Sequence, residues 1–252
     1  ICPPSNRHYL ANSKNMHPDE EYQSYDVIVV GGGNAALCAA LSAAELGVSV
    51  VILERAPEEE RGGNTAYTEG LMRFVYSGAE DILALSPDLS EEEMKSDFGV
   101  YTEDDFFDDM ARVTENRTDP DLCEILVRQS NECVHWLKNQ GLRFLPQFGR
   151  QSFKVDGHYK FWGGATLAVS GGGRGMVDAL FKAAERKGIT VVYNAWVRDL
   201  IKSDAGVHGV EVQIDGTTTR IYGQSVVLAC GGFEANTEWR TRYLGPGWDL
   251  AK

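Results

Sequence analysis

Four positions near the start of this 252-residue chain have the types and spacing to hold a nucleotide. Gly31, Gly33 and Ala36 form G-x-G-x-x-A, and Glu54 follows 23 residues after Gly31. Gly31 permits a tight turn, Gly33 lets backbone approach a pyrophosphate, and Ala36 lets a helix sit close to the preceding strand. The helix opening at Asn34 and Ala35 turns its unpaired N–H groups and positive dipole end toward the same anion. A carboxylate at Glu54 accepts both ribose hydroxyls and repels a 2′-phosphate, while Arg55 beside it leaves room for a phosphate-bearing nucleotide. The competing reading is a glycine-rich turn without a ligand and an exposed acid at a strand end. Three successive glycines are costly to order, which argues against that reading.

The elements needed to position these residues occur in order. Residues 27–30 are apolar and β-branched, as in a buried parallel strand. A helix is expected from Asn34 to Leu46, stopped by Gly47, and then a strand from Val48 to Leu53. A loop with Gly62 and Gly63 at its middle follows, and residues 71–100 are acidic with weak periodicity. Thr102 with Asp105 makes a capping box that opens a helix to about Glu115, and Asp119–Pro120 opens another that Gly141 ends. In the latter, Leu122, Ile125, Leu126, Gln129, Cys133, Trp136 and Leu137 fall on one face and read as core. The aromatic-rich stretch 143–170 reads as loop or short strands. A helix from Gly175 to Lys187 follows GGGR and ends at Gly188. A strand at 189–193, a meander at 197–201, 207–214 and 217–222, and a buried strand at 226–229 complete the pattern. The fold class is therefore α/β: a Rossmann-like domain of parallel sheet plus β-meander, spanning about 25–100 and 172–252. A mainly helical insertion at about 101–171 interrupts it. Residues 1–24 read as a disordered tail, and the turn-like ending suggests C-terminal incompleteness.

Bulk properties narrow the partners. The formal charge is −13, from 24 basic and 37 acidic residues, which disfavours nucleic acid and anionic membranes. No run has the length of a membrane-spanning helix. Cys2, Cys38, Cys123, Cys133 and Cys230 form no C-x-x-C pair, so no metal site is expected; they read as mostly reduced and buried, consistent with a cytoplasmic protein.

Three glycine-rich points need one explanation: GGGNAA at 31–36, RGGNT at 61–65 and ACGGF at 229–233. A nicotinamide dehydrogenase needs only the first. A flavin adenine dinucleotide is longer and lies against backbone in several places. The set VIVVGGGNAALCAALSAAELGVSVVILE, RGGNTAYT, NAWVRDLI and VVLACGGFEAN resembles the flavoprotein family of fumarate reductase and succinate dehydrogenase, and within it the tricarballylate dehydrogenase type. The resemblance covers residues 25–252.

The resemblance implies an FAD-dependent oxidoreductase that moves a hydride between flavin and a carbon next to a carboxylate. It implies that Gly31, Gly33, Asn34, Ala35 and Ala36 meet the pyrophosphate, and that Glu54 and Arg55 lie at the adenosine ribose. Gly62, Gly63, Asn64 and Thr65 would pass beside the isoalloxazine and phosphates. Val197 would present backbone to the adenine, with Ala229, Gly231 and Gly232 along the adenosine side. Quinone-linked succinate dehydrogenases have a flavin-bonded histidine near the position of Asn64; asparagine cannot make that bond, so the FAD is expected to be non-covalent. The family's catalytic residues align beyond residue 252. The visible candidates for contact with a small carboxylate are Arg174, Arg150 and His158, each of which also reads as a solvated surface residue. An electron-transfer partner is a further expectation. The alternatives are a 3-ketosteroid dehydrogenase-like flavoenzyme and a fragment that binds FAD without catalysis.

Overall fold

The computed structural model describes residues 24–251. Most of the expected tail lies outside them, but Ser24 is already the first residue of a strand. The chain runs through β1 (Ser24–Val30), α1 (Asn34–Glu45), β2 (Val50–Leu53), β3 (Leu71–Met72), α2 (Ala79–Leu85), α3 (Glu91–Met94), α4 (Glu103–Thr114) and α5 (Pro120–Gln140). It continues through β4 (Phe144–Pro146), α6 (Phe148–Gln151), β5 (Ser152–Val155), β6 (His158–Phe161), β7 (Leu167–Val169) and α7 (Gly172–Arg186). The last elements are β8 (Thr190–Val192), β9 (Ala195–Ser203), β10 (Gly206–Ile214), β11 (Thr217–Leu228) and α8 (Thr237–Leu244).

Six strands form the main sheet in the order β8-β2-β1-β11-β10-β9. The pairs β8–β2, β2–β1 and β1–β11 are parallel, and β11–β10 and β10–β9 are antiparallel. The apolar runs of β1 and β2 follow from burial on both faces. Val29 and Ile52 join Leu37, Leu41, Val177 and Leu180 of α1 and α7. Ile28, Val30, Val51 and Leu53 point the other way, onto Ala195, Val210, Val212 and Ile221. Side chains alternate across a strand, so one apolar run serves two cores.

β11 corrects the expectation of two strands. It pairs antiparallel with β10 up to Tyr222 and parallel with β1 from Tyr222 to Leu228. The polar break that hides its continuity contains Gly223, where a Cβ would stand 2.9 Å from the Ile28 side chain. The expected strand at 226–229 is also not buried, since Leu228 is 59 % exposed.

α5 has the expected ends: the Asp119 carboxylate accepts from the Asp121 and Leu122 amides, and Gly141 takes φ 110°. The expected face holds only at its C-terminal end, where Leu137 is buried and Trp136 packs against the core. Leu122, Ile125 and Leu126 are exposed, while Cys123, Val127, Ser130, Val134 and Leu137 are buried. The reason is polar. Ser130 Oγ accepts from the Val75 amide at 2.9 Å, and Asn131 Nδ2 donates to the Val75 carbonyl at 2.9 Å. A peptide group largely withdrawn from water needs those partners, and they turn this face of the helix inward rather than its richest apolar stripe.

Smaller differences concern turns and thiols. The loop after Glu54 contains 3-10 turns at Glu58–Glu60 and Gly63–Tyr67. α7 starts at Gly172 rather than Gly175. β3, β7 and β4 form a second small sheet, and β5 and β6 a hairpin. Of the four cysteines among the described residues, all free, Cys133 and Cys230 are exposed, against the expectation of burial.

Candidate functional site

The carboxyl ends of β2, β1 and β11 lie side by side, with Val30 registered against both Leu53 and Leu228. From β1 the chain crosses to β2 on one side, while β11 returns from far along the sequence on the other. Such a switch in strand order opens a crevice at the strand ends, where nucleotides bind in open α/β sheets.

The three glycines after β1 serve three neighbours. Gly31 donates its amide to the Leu53 carbonyl at 2.9 Å and has φ 115°. A Cβ on it would run into the Ala229 carbonyl, and one on Gly32 would run into Glu54 Oε2. Gly33 differs. Its backbone is extended, and a Cβ there would meet nothing closer than Thr65 Oγ1 at 3.5 Å. The protein's own packing does not require glycine at 33, so a cradle is left open beside backbone.

That cradle faces the start of α1. Leu37 makes the first internal helix bond, to the Gly33 carbonyl at 2.9 Å. The Asn34 amide donates to Thr65 Oγ1 at 3.0 Å. The amides of Ala35 and Ala36 in the same first turn have no acceptor within the helix, and they stand at its positive end. Asn34 Oδ1 accepts from Cys38 Sγ at 3.3 Å, which holds the side chain along the helix.

Glu54 caps β2 and is 8 % exposed, which excludes the solvated strand-end acid. Its amide donates to the Val192 carbonyl and its carbonyl accepts from the Ala195 amide, both at 2.9 Å. Oε1 accepts from the Ala56 amide at 2.8 Å, and Oε2 lies against Gly32 at the crevice. Arg55 lies 5.6 Å above the Trp196 ring, which Arg198 also covers at 3.8 Å. Val197, next to Trp196, pairs with Val212 on the edge strand β9.

The loop 61–65 is clamped from below. Arg61 donates to Glu58 Oε1 at 3.1 Å and to the Tyr193 hydroxyl at 2.9 Å, and stacks 4.3 Å over Phe181. Gly62 has φ 105°, and a Cβ there would stand 2.6 Å from Val177. On the far side, Ala229 donates to the Val30 carbonyl at 2.9 Å and Gly231 has φ 72°. Asn64 Nδ2 donates to Glu234 Oε2 at 3.1 Å, joining the second and third glycine-rich segments. The four motifs thus surround one crevice. Its open backbone, helix start and buried carboxylate fit the phosphates and ribose of a dinucleotide.

A family model for the FAD binding domain matches residues 26–249. The chain belongs to this family. It is 30 % identical over 239 residues to a vinyl phenol reductase of Lactiplantibacillus plantarum, covering 90 % of this chain and 43 % of the relative. It is 28 % identical over 231 residues to a fumarate reductase (cytochrome) of Shewanella frigidimarina, covering 89 % of this chain and 36 % of the relative. The open form of a flavocytochrome c3 fumarate reductase superposes with a TM-score of 0.68 at 26 % identity, over 88 % of this chain and 36 % of that one. The chain thus spans less than half the length of these relatives. The family fixes the cofactor as FAD and the fold as that of the fumarate reductase flavoproteins.

The substrate-contact candidates are not brought together by the fold, and only Arg174 lies beside the 61–65 loop. Arg174 is exposed, 5.6 Å above the Tyr67 ring. A cavity of about 290 Å³ beside it is lined by Glu58, Glu59, Arg61, Val177 and Asp178. The helix start that recommended Arg174 as an anion site is engaged by protein: the Gly173 amide donates to the Thr68 carbonyl at 2.8 Å. Arg150 pairs with Glu69 at 2.7 Å with both side chains mostly exposed. His158 is exposed at the start of β6. Sequence reasoning missed Gly32, Arg61 and Glu234. All three lay inside the motifs named above, so asking what each side chain would meet was the available signal.

Proposed function

We propose that this chain is the FAD-binding part of an oxidoreductase of the fumarate reductase type. It would move a hydride between flavin and a carbon–carbon bond next to a carboxylate. The observation that carries the reading is the meeting of four motifs at the ends of β1, β2 and β11, with an open Gly33 cradle. Bound FAD supplies the two-electron chemistry. The chain's residues bind and orient. Ala35 and Ala36 amides hold the pyrophosphate, Glu54 the adenosine ribose, and Gly62–Thr65 flank the flavin end. Val197, Ala229, Gly231 and Gly232 line the adenosine side, with Arg55 at its rim. The sheet residues at about 25–100 and 172–252 make the FAD-binding unit, and 101–171 the insertion. Arg174, Arg150 and His158 are the candidates for carboxylate contact. Polycarboxylates of the fumarate or tricarballylate kind are the proposed substrates, supported by the relative named for fumarate. Four free cysteines among the described residues favour a reducing, cytoplasmic setting.

The test is flavin reoxidation. The intact protein is loaded with FAD, reduced chemically without oxygen, and mixed with fumarate, cis-aconitate, vinyl phenol or an unsaturated ketosteroid. Reoxidation by an unsaturated carboxylate alone is the expected result. Reoxidation by the phenol or the steroid, with none by the acids, overturns the substrate class. Acid precipitation should leave the yellow chromophore in solution, because Asn64 cannot bond to it.

A further inference from the structure

We propose that Glu234 is a positioning residue for FAD, fixing the Asn64 amide and placing a negative charge beside the flavin-flanking loop. The proposal rests on the FAD reading of the crevice. Glu234 Oε2 accepts from Asn64 Nδ2 at 3.1 Å although 170 residues separate them. The carboxylate folds back so closely over Gly232 that a Cβ there would collide with it. Its backbone is held as well: Arg240 Nη1 donates to the Glu234 carbonyl at 2.6 Å, and Arg240 Nη2 reaches Thr237 Oγ1 at 3.4 Å. Asn236 caps α8 by accepting from the Trp239 amide at 2.9 Å. Gly231 and Gly232 therefore connect to Asn64 through a carboxylate whose own chain is anchored.

Two consequences follow. The Asn64 amide has two donors and one acceptor oxygen, and engaging Nδ2 turns Oδ1 the other way. The group is thereby oriented before a cofactor arrives, which reduces the ordering cost of binding. The carboxylate meets a neutral amide there, so its charge, exposed and partly screened by solvent, stays beside the loop. A fixed negative charge opposes added electron density nearby and holds the reduction potential of the flavin down.

The experiment compares wild type with E234A, E234Q, N64A and the double variant in the intact protein. FAD affinity is read by fluorescence quenching and the midpoint potential by equilibration with a redox dye. E234A should weaken FAD binding by up to about tenfold, the ordering cost of one side chain left free. N64A should do the same, and the double variant should be no worse than either single one. E234Q keeps an acceptor and removes the charge. It should bind within about threefold of wild type, by the loss of charge assistance alone, yet raise the midpoint potential. Unchanged or tighter FAD binding in E234A, additive effects, or an unmoved potential in E234Q would each overturn the proposal. Wild type that takes up no FAD would sink the cofactor reading together with it; wild type that binds beside unresponsive variants sinks this proposal alone.

Discussion

Two helices of this molecule begin at runs of three glycines, and the runs do different work. At Gly171–Gly173 the absent side chains of the first and third glycines make room for the protein itself, while Gly172 takes φ 62°. A Cβ on Gly173 would run into the Thr65 carbonyl, and one on Gly171 would stand 3.1 Å from Gly175 Cα. At Gly31–Gly33 the first two glycines admit Ala229 and Glu54, but a Cβ on the third would make only ordinary contact, with Thr65 Oγ1 at 3.5 Å and the Gly62 carbonyl at 3.6 Å. The sequence pattern is alike at both. What separates a packing device from a ligand cradle is room left over after the fold has closed, together with amides that no protein acceptor takes.

Swapping one methyl group into each run tests this most severely. G173A should be the largest effect on stability, because the added carbon meets backbone that cannot rotate away. Overpacking of this kind costs about 3 kcal/mol. The melting temperature should fall by roughly 6–12 °C for a domain of this size. G33A should leave it within about 0.5 kcal/mol of wild type, since its extended backbone suits any residue. The same variant should weaken FAD binding about a hundredfold, from two charge-assisted hydrogen bonds at roughly 1.5 kcal/mol each. Thermal melts and FAD titrations of both proteins measure this. Loss of folding in G33A, or loss of FAD with unchanged stability in G173A, would reverse the assignment.

The contrast also explains what could be read from the chain. The βαβ unit was legible because its burial is two-sided and its helix is bounded by glycines at both ends. The caps at Thr102 and Asp119 were legible because capping depends on a few neighbouring residues. The buried face of α5 was not, because Ser130 is held there by a peptide 55 residues away. The continuity of β11 was hidden by Gly223, which gives way to a side chain of β1. In the crevice, Gly31, Gly33 and Glu54 belong to a local motif. Glu234 reaches Asn64 only through the closed sheet, and no local pattern announces that contact.

A second prediction sharpens the cradle end of the comparison. In the proposed binding mode Glu54 would hold the adenosine side, by a carboxylate already oriented by the Ala56 amide. E54A should weaken FAD binding about tenfold, one charge-assisted bond, an order less than G33A. E54Q keeps one acceptor and should fall between E54A and wild type. R174M, at the packed helix start, should change FAD affinity by less than about twofold, as surface substitutions away from a site do. An R174M loss equal to that of E54A would mean that the second glycine run also meets the cofactor.

A last prediction, with no change in affinity or stability, concerns thiols on the two sides of the cradle. Cys38 lies one turn inside α1, and burial, with Cys133 nearby adding to it, pushes its thiol up to about 12. The thiolate is the reactive form, so at pH 8 only about one Cys38 in ten thousand is reactive at any moment. Cys230 is exposed in the segment that follows β11, beside Ala229 and Gly231. Iodoacetamide should therefore modify Cys230 well before Cys38, as peptide mass mapping over time would show. Saturating FAD should slow modification of Cys230 by about tenfold, the scale expected when a bound ligand must leave first at ten times its Kd. Cys133, exposed on α5, serves as the reference and should react at the same rate with and without FAD. Equal protection of both thiols would point to a general tightening of the fold. Protection of Cys230 alone would put the cofactor along the segment that closes the crevice opposite Gly33.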